Sequence, residues 1–290
     1  MNDIIVIVGP TGVGKTKLSI ELAKKLDAEI INGDSVSIYK KLDIGSAKPS
    51  LEERDGVIHH LIDTRNVLED YSVFDYQKDV RELIKDINSR GKRIIIVGGT
   101  GLYIKAALYD YKFQEGISYN NYSKLTNEEI INRIKKYNVD KIPDINNRRR
   151  LERLLTKLDN NEEITNNKND LLYPIKVIGL TVDRDILYQR INDRVDYMIN
   201  NGLIDEVKSL IDYYPNSRIL NSAIGYKEFY DFLFNDKDID IVVEEIKQNS
   251  RRFAKRQYTF FKHQFSTKWF DVDFNNFNNT IDEVYNYIKK

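Results

Sequence analysis

Residues 3–8 are almost wholly apolar and stop at Gly9, the pattern of a strand buried on both faces. Leu18, Leu22 and Leu26 then recur at helical spacing across 16–26. The alternation repeats. Residues 29–31 read as a second strand ending in Asn32, Gly33 and Asp34, and 57–62 as a weaker third. Val73, Tyr76, Val80, Leu83, Ile84 and Ile87 share one side of a helix over 73–89. A fourth strand at 92–97 runs into Gly98-Gly99-Thr100-Gly101 and a short helix to Leu108. Strands alternating with amphipathic helices predict a doubly wound parallel sheet.

The pattern changes between Tyr109 and Pro174. No strand is legible there, only amphipathic helices at 127–137 and 147–158 with polar flanks such as 159–162 and 165–170. The expected organisation is a core of 1–108 and 175–290 interrupted by a small all-helical insert, 109–174. A strand at 175–180 resumes the sheet, helical periodicity covers 181–200 and 203–213, a long helix spans 239–265, and 269–272 reads as a last short strand. No internal repeat is visible.

Composition excludes more than it assigns. Lys plus Arg equals Asp plus Glu at 45 each in 290 residues, so net charge predicts no partner and only local clustering can. The absence of cysteine excludes disulfides, cysteine–zinc sites and a cysteine nucleophile. No apolar run approaches the ~20 residues that span a bilayer. The first residues begin a strand rather than a signal peptide. A cytoplasmic protein without a membrane partner is expected, a monomer by default.

The first turn carries chemistry. Gly9, Pro10, Thr11, Gly12, Val13, Gly14, Lys15 and Thr16 match G-x-x-x-x-G-K-[ST] at every fixed position, with a strand before and a helix after. The glycines let backbone N–H groups turn toward an anion, and the helix start adds its positive dipole end. Lys15 supplies a mobile charge, and the Thr16 hydroxyl is a candidate ligand for Mg²⁺ on the same phosphates. A chance glycine turn is the bland alternative. A triphosphate hydrolase would also place an acid at the end of another strand to hold the metal. The strand through Ile94, Ile95, Ile96 and Val97 ends instead in Gly98-Gly99-Thr100. The pattern favours a transferase whose donor carries a pyrophosphate.

Asp34 closes the second strand. In a parallel sheet the carboxyl ends of the strands line the ligand crevice, so Asp34 should face the phosphates across it. Two readings stand on position alone: a base for an attacking nucleophile, or the N-cap of a short helix. Further along, 247–268 holds seven Lys or Arg and no Asp or Glu. Arg251, Lys255, Tyr258 and Lys262 share one side of a helix, and with Phe261 they suit phosphate contacts and stacking on unpaired bases. Arg148, Arg149, Arg150 and Arg153 form a second cluster. A solvated face is the alternative for both. His59 and His60, adjacent on a strand, point to opposite faces and make a zinc site unexpected.

Several segments together resemble one family, the tRNA dimethylallyltransferases (tRNA isopentenyltransferases). They are the phosphate loop, Asp34-Ser35-Val36-Ser37-Ile38-Tyr39, Asp43-Ile44-Gly45-Ser46-Ala47-Lys48-Pro49 and His59-His60-Leu61-Ile62-Asp63. Gly98-Gly99-Thr100-Gly101-Leu102-Tyr103, Gly202-Leu203-Ile204-Asp205-Glu206-Val207, Ala223-Ile224-Gly225-Tyr226-Lys227-Glu228 and Arg251-Arg252-Phe253-Ala254-Lys255-Arg256-Gln257 follow in family order. The resemblance implies an α/β, P-loop NTPase-like parallel sheet with flanking helices and a small all-helical insert. It implies transfer of a dimethylallyl group from dimethylallyl diphosphate to N6 of the adenosine immediately 3′ of the anticodon in tRNA. Lys15, Thr16 and Mg²⁺ would hold the diphosphate, with Asp34 as base or acceptor for the adenine amino group. Asp34, Ser35, Val36, Ser37 and Thr100 would meet the tRNA anticodon loop, as would Arg148, Arg149, Arg150, Arg251, Arg252, Lys255 and Arg256. The chain departs from the family pattern in a shorter insert, and in Asn221 and Ser222 where many members carry Gln or Arg. If an arginine there normally touches pyrophosphate, Arg194 or Arg218 must stand in. A small-molecule P-loop kinase and a prenyltransferase acting on free adenine nucleotide are the rival readings, and an RNA-binding module with a vestigial loop is a third.

Overall fold

The computed structural model describes residues 3–113, 120–139, 142–161 and 170–290. Six parallel strands form one sheet in the order β3-β2-β4-β1-β5-β6. They are β1 Ile4–Val8, β2 Ala28–Asn32, β3 His59–His60, β4 Arg93–Val97, β5 Ile175–Thr181 and β6 Thr267–Asp271. Burial on both faces explains their continuous apolar runs. Ile4, Val6 and Val8 of β1 enter one core with Ile31, Ile94, Ile96 and Val177. Ile5 and Ile7 enter the opposite core with Ile30, Ile95 and Ile178. The period of two is the pleat itself.

Around the sheet stand α1 Lys15–Leu26, α2 Leu51–Arg54, α3 Val73–Ser89, α4 Gly101–Leu108, α7 Arg184–Asn200, α8 Leu203–Lys208, α9 Tyr230–Phe234, α10 Ile239–Gln264 and α11 Phe277–Lys289. The chain divides into two compact units, Met1–Tyr109 with Asp170–Lys290, and Asp110–Asn169. The smaller unit contains α5 Asn127–Lys135 and α6 Arg148–Asp159, closed around Tyr122, Ile130, Ile134, Leu151 and Leu155. Most of the polar stretch expected at 165–170 lies outside the described residues.

Three elements differ from the periodicity, each for a local reason. The third strand is only His59–His60, because Leu61 and Asp63 take left-handed φ of 60° and 57° and turn the chain away. The Asn32 amide nitrogen donates to the Leu61 carbonyl (2.9 Å) where a ladder bond would otherwise form. The expected helix over 203–213 breaks after Lys208, where the Ser209 hydroxyl donates to the Glu206 carbonyl at 2.6 Å and a 3₁₀ turn follows at Ile211–Tyr213. Helix α11 was not anticipated, although Phe277, Ile281, Val284 and Ile288 recur at helical spacing and are all buried.

The chain runs from β1 out to β2, returns to β4 and then crosses to β5, so the sheet's topological switch lies at β1. The backbone is very tight there. The Gly98 N–H donates to the Ile7 carbonyl (3.2 Å) and the Gly33 N–H to the Val97 carbonyl (2.7 Å). A Cβ on Gly98 would lie 2.1 Å from the Gly33 carbonyl carbon. Neither strand end can yield cheaply, so Gly98→Ala should cost about 1–3 kcal/mol by overpacking. The check is a denaturant melt: an unchanged midpoint would show that this approach does not constrain the crevice.

Candidate active site

The phosphate loop joins β1 to α1. Gly14 takes φ 94°, and a Cβ there would meet the Phe277 ring at 2.7 Å, so both the backbone and α11 require glycine. Helix α1 begins at Lys15 with no acidic residue in its first turn, leaving its dipole free for an anion. The Lys15 ammonium donates to the carbonyls of Gly9 (3.0 Å) and Pro10 (2.7 Å). Thr16 is exposed and Val13 fully buried beneath the loop. Burial, with a smaller push from the Arg194 guanidinium, brings the Lys15 ammonium down to about 8 against the opposing pull of the Asp34 carboxylate.

Asp34 is fixed by its own neighbourhood. Its N–H donates to Asn32 Oδ1 (3.0 Å), and Asn32 Nδ2 donates back to the Asp34 carbonyl (2.9 Å). Asp34 Oδ1 accepts the Val36 N–H at 3.0 Å. No helix begins at Ser35, so the N-cap reading gives way to a short side-chain turn. The turn engages Oδ1; Oδ2 faces Gly99, 3.7 Å from the point where a Cβ would stand there. The Thr100 hydroxyl oxygen accepts the Ser35 N–H at 3.0 Å, tying the ends of β2 and β4 together.

Two cavities meet at this point. The larger, about 1450 Å³, runs past Thr16, Ser37, Lys48, Arg54 and His59. The smaller, about 320 Å³, is walled by Val36, Val195, Ile224 and Phe253 and edged by Ser35, Thr100 and Arg256. Thr11, Lys15, Asp34, Ser46, Arg194 and Met198 border both. Arg194 Nη1 donates to Thr11 Oγ1 (3.0 Å), and one turn earlier Arg190 Nε donates to the Gly12 carbonyl (3.1 Å). Arg218, the other arginine considered, is exposed, pairs with Asp70 at 3.8 Å and borders neither cavity. Of Arg194 and Arg218, Arg194 is therefore the one beside the loop.

Supporting residues escaped the sequence reading except as members of family blocks. Glu206 accepts the consecutive N–H groups of Asp43 (3.0 Å), Ile44 (2.8 Å) and Gly45 (3.1 Å), and the Tyr226 hydroxyl at 2.7 Å. Lys48 donates to the Tyr39 carbonyl (2.8 Å), Asp43 (2.6 Å) and Asp63 (2.5 Å). Together they shape the loop at 43–48 that walls the cavities. His60 bonds the buried Glu29 at 2.7 Å, and Arg90 pairs with the same carboxylate. His59 Nδ1–H donates to the Val57 carbonyl (2.9 Å), and burial lowers the pKa of the ring. Among the described residues no cluster of three or more His, Cys, Asp or Glu is placed to hold a metal.

The basic stripe needs revision. Phe261 is fully buried, and the Tyr258 ring lies half-buried against Trp269 at 4.8 Å between centroids, so Phe261 is not available to stack on a base. Arg251 turns inward to the Asn192 side chain, whereas Arg252, Lys255, Arg256 and Lys262 remain exposed. In the smaller unit Arg148 is committed locally, to the Tyr122 carbonyl (2.6 Å), Glu152 (2.6 Å) and the Leu125 carbonyl. Arg149 and Arg150 are exposed.

A phosphate loop facing a fixed carboxylate, with an arginine beside the loop and Gly98-Gly99-Thr100 rather than an acid at the end of β4, sets this crevice apart from a triphosphate hydrolase. Residues 37–264 match the model of the family described as IPP transferase. The chain belongs to the IPP transferase family. It is 46% identical to a tRNA dimethylallyltransferase of Geobacillus thermodenitrificans over 98% of this chain and 96% of that one. Its fold is similar to that of the full-length tRNA isopentenylpyrophosphate transferase of Bacillus halodurans (TM-score 0.78, 39% identity, 100% and 96% of the two chains). It is also similar to a eukaryotic dimethylallyltransferase described as acting on tRNA (TM-score 0.76, 27% identity, 100% and 80%). The P-loop-like parallel sheet that the strand–helix alternation and the family resemblance imply is the observed one. No helix among the described residues is long and apolar enough to cross a membrane.

The lowered pKa of Lys15 gives a prediction of its own. In the donor-free enzyme it loses its charge as pH rises through about 8, so kcat/KM for an anionic donor should fall above that pH. Lys15→Arg, charged throughout, should flatten this limb; the same limb in that variant would assign it to another group.

Proposed function

We propose that the enzyme transfers a dimethylallyl group from dimethylallyl diphosphate to N6 of the adenosine immediately 3′ of the anticodon in tRNA, releasing diphosphate. The observation that carries this reading is the meeting of both cavities at Lys15, Arg194 and Asp34. A donor whose diphosphate lies on the loop presents its C1 toward the carboxylate that an acceptor amine must also approach. The N6 lone pair forms the new N–C bond as the C1–O bond breaks. The electron pair leaves with diphosphate, and the N6 proton passes to Asp34 Oδ2. Loop N–H groups, Lys15 and Arg194 stabilise the charge that develops on the leaving oxygens. Asp34 offsets the weak nucleophilicity of an exocyclic amine. The acceptor base reaches this depth by leaving its stack.

The Thr16 hydroxyl at the start of α1 suits Mg²⁺, a hard cation that keeps several waters and binds mainly through substrate phosphates. When bound there it neutralises part of the diphosphate charge. Arg252, Lys255 and Arg256 on α10, and Arg149 and Arg150 of the insert, are proposed contacts to tRNA phosphates. Replacing Arg252, Lys255 and Arg256 by Gln should weaken tRNA binding and lower the slope of log K against log salt by about 1 for each lost phosphate contact. An unchanged slope would remove α10 from the interface.

The functional test offers Mg²⁺, labelled dimethylallyl diphosphate and unmodified tRNA. Parallel arms replace the donor by ATP or the acceptor by AMP. Label entering tRNA only with the prenyl donor is expected. Phosphoryl transfer from ATP would favour the kinase, and equal labelling of AMP would favour a free-nucleotide acceptor.

A further inference from the structure

Gln257 sits on α10, 4% exposed, and no step above uses it. Its side chain reaches two backbone segments that the reaction needs in register. Oε1 accepts the Thr11 N–H of the phosphate loop at 3.0 Å, and Nε2 donates to the Gly99 carbonyl after β4 at 3.1 Å. The amide orientation follows from its partners, since an N–H must meet oxygen and a carbonyl must meet an N–H. The fit is close: a Cβ on Gly99 would lie 2.0 Å from Nε2 and 3.7 Å from Asp34 Oδ2. The carboxamide thus joins the loop that grips the donor to the strand end beside the base.

We infer that Gln257 is a positioning residue whose carboxamide sets the spacing between the phosphate loop and the Asp34 side of the crevice. The inference rests on the transferase reading for its kinetic consequence, though not for its effect on diphosphate affinity. Only a group that accepts on one atom and donates from the other satisfies both backbones. Met keeps the length and loses both bonds. A Glu carboxylate keeps the Thr11 bond but turns a lone pair on the Gly99 carbonyl. Protonated Glu restores both, its C=O accepting from Thr11 and its O–H donating to Gly99. Its acid form is therefore the competent one. Arg256, the preceding residue on α10, is exposed, which places this clamp directly behind a proposed tRNA-contacting face.

The test compares wild type, Gln257→Met and Gln257→Glu. It measures kcat and donor KM in the transfer assay, affinity for inorganic pyrophosphate by calorimetry, and thermal stability. Gln257→Met should lose about 10²-fold in kcat/KM, the scale of a ~1 Å misplacement, with weakened pyrophosphate binding per folded molecule. The Gln257→Glu to wild-type ratio of kcat/KM should rise at least about tenfold from pH 8 to pH 6, as the carboxyl is protonated. Lys15, Asp34, Arg194, Lys227 and Arg256 border the same cavity and are common to both proteins, so the ratio isolates residue 257. Wild-type kinetics and pyrophosphate affinity in Gln257→Met would overturn the inference. So would a pH-independent ratio for Gln257→Glu, which also decides the matter if the Met variant does not fold. A wild type that binds pyrophosphate yet transfers nothing would instead refute the transferase reading, leaving the affinity comparison to judge Gln257.

Discussion

Asp34→Asn lowers kcat for transfer to tRNA by about 10²- to 10⁴-fold, the usual range for a lost general base, and leaves donor binding close to that of the wild type. Asn is the sharper substitution because its carbonyl oxygen still accepts the Val36 N–H that shapes the turn. What it removes is the negative, proton-accepting Oδ2 that faces Gly99. Donor affinity is spared because losing the carboxylate relieves its repulsion of the diphosphate while withdrawing the support it gives to the Lys15 charge, two effects of opposite sign. Single-turnover rates with bound donor and tRNA separate this effect from binding. A near-wild-type rate would show that the amine needs no base at this position.

The second large effect belongs to the loop's cations. Lys15→Ala and Arg194→Ala each remove a charge from the place where leaving-group charge develops. Each is expected to reduce kcat by about 10²- to 10³-fold, comparable with removing one preorganised donor from an anion hole. Donor KM should rise as well, because the same cations meet the ground-state diphosphate. Their effects should not simply add. The Arg194 guanidinium already disfavours the charge on Lys15, and both interact with Asp34 across one small site. Arg218→Ala is the control: on the surface beside Asp70, it should change neither parameter. A donor KM that moves with Arg218 and not with Arg194 would reverse the assignment.

How much of this was legible in the sequence depends on the range of the interactions. The strands were readable because burial on both faces leaves a continuous apolar run, as in Ile94, Ile95 and Ile96. The phosphate loop was readable because its glycines, lysine and threonine act within eight consecutive residues. Asp34 was placed correctly at the crevice, yet its role remained open, since only the structure shows Asn32 and Val36 N–H holding it while one oxygen stays available. The choice between Arg194 and Arg218 depended on which helix crosses the loop. Composition near 257 suggested a basic, RNA-facing stripe, but α10 is amphipathic, so Phe261 turned inward to the core and Arg251 toward α7. Gln257 and Glu206 act over separations of 246 and 163 residues, as the Thr11 and Asp43 bonds show, and no local pattern encodes such pairings. Ordered family blocks mark such residues without saying what they touch.

What leaves this crevice covalently attached to RNA decides the function. The most direct measurement is mass spectrometry of nucleosides and oligonucleotide fragments from tRNA incubated with the enzyme, Mg²⁺ and dimethylallyl diphosphate. The account predicts one dimethylallyl group per acceptor tRNA, on N6 of the adenosine immediately 3′ of the anticodon, and none with Asp34→Asn in the same time. A dimethylallyl group elsewhere in the tRNA, or none under conditions where the donor binds, would contradict it.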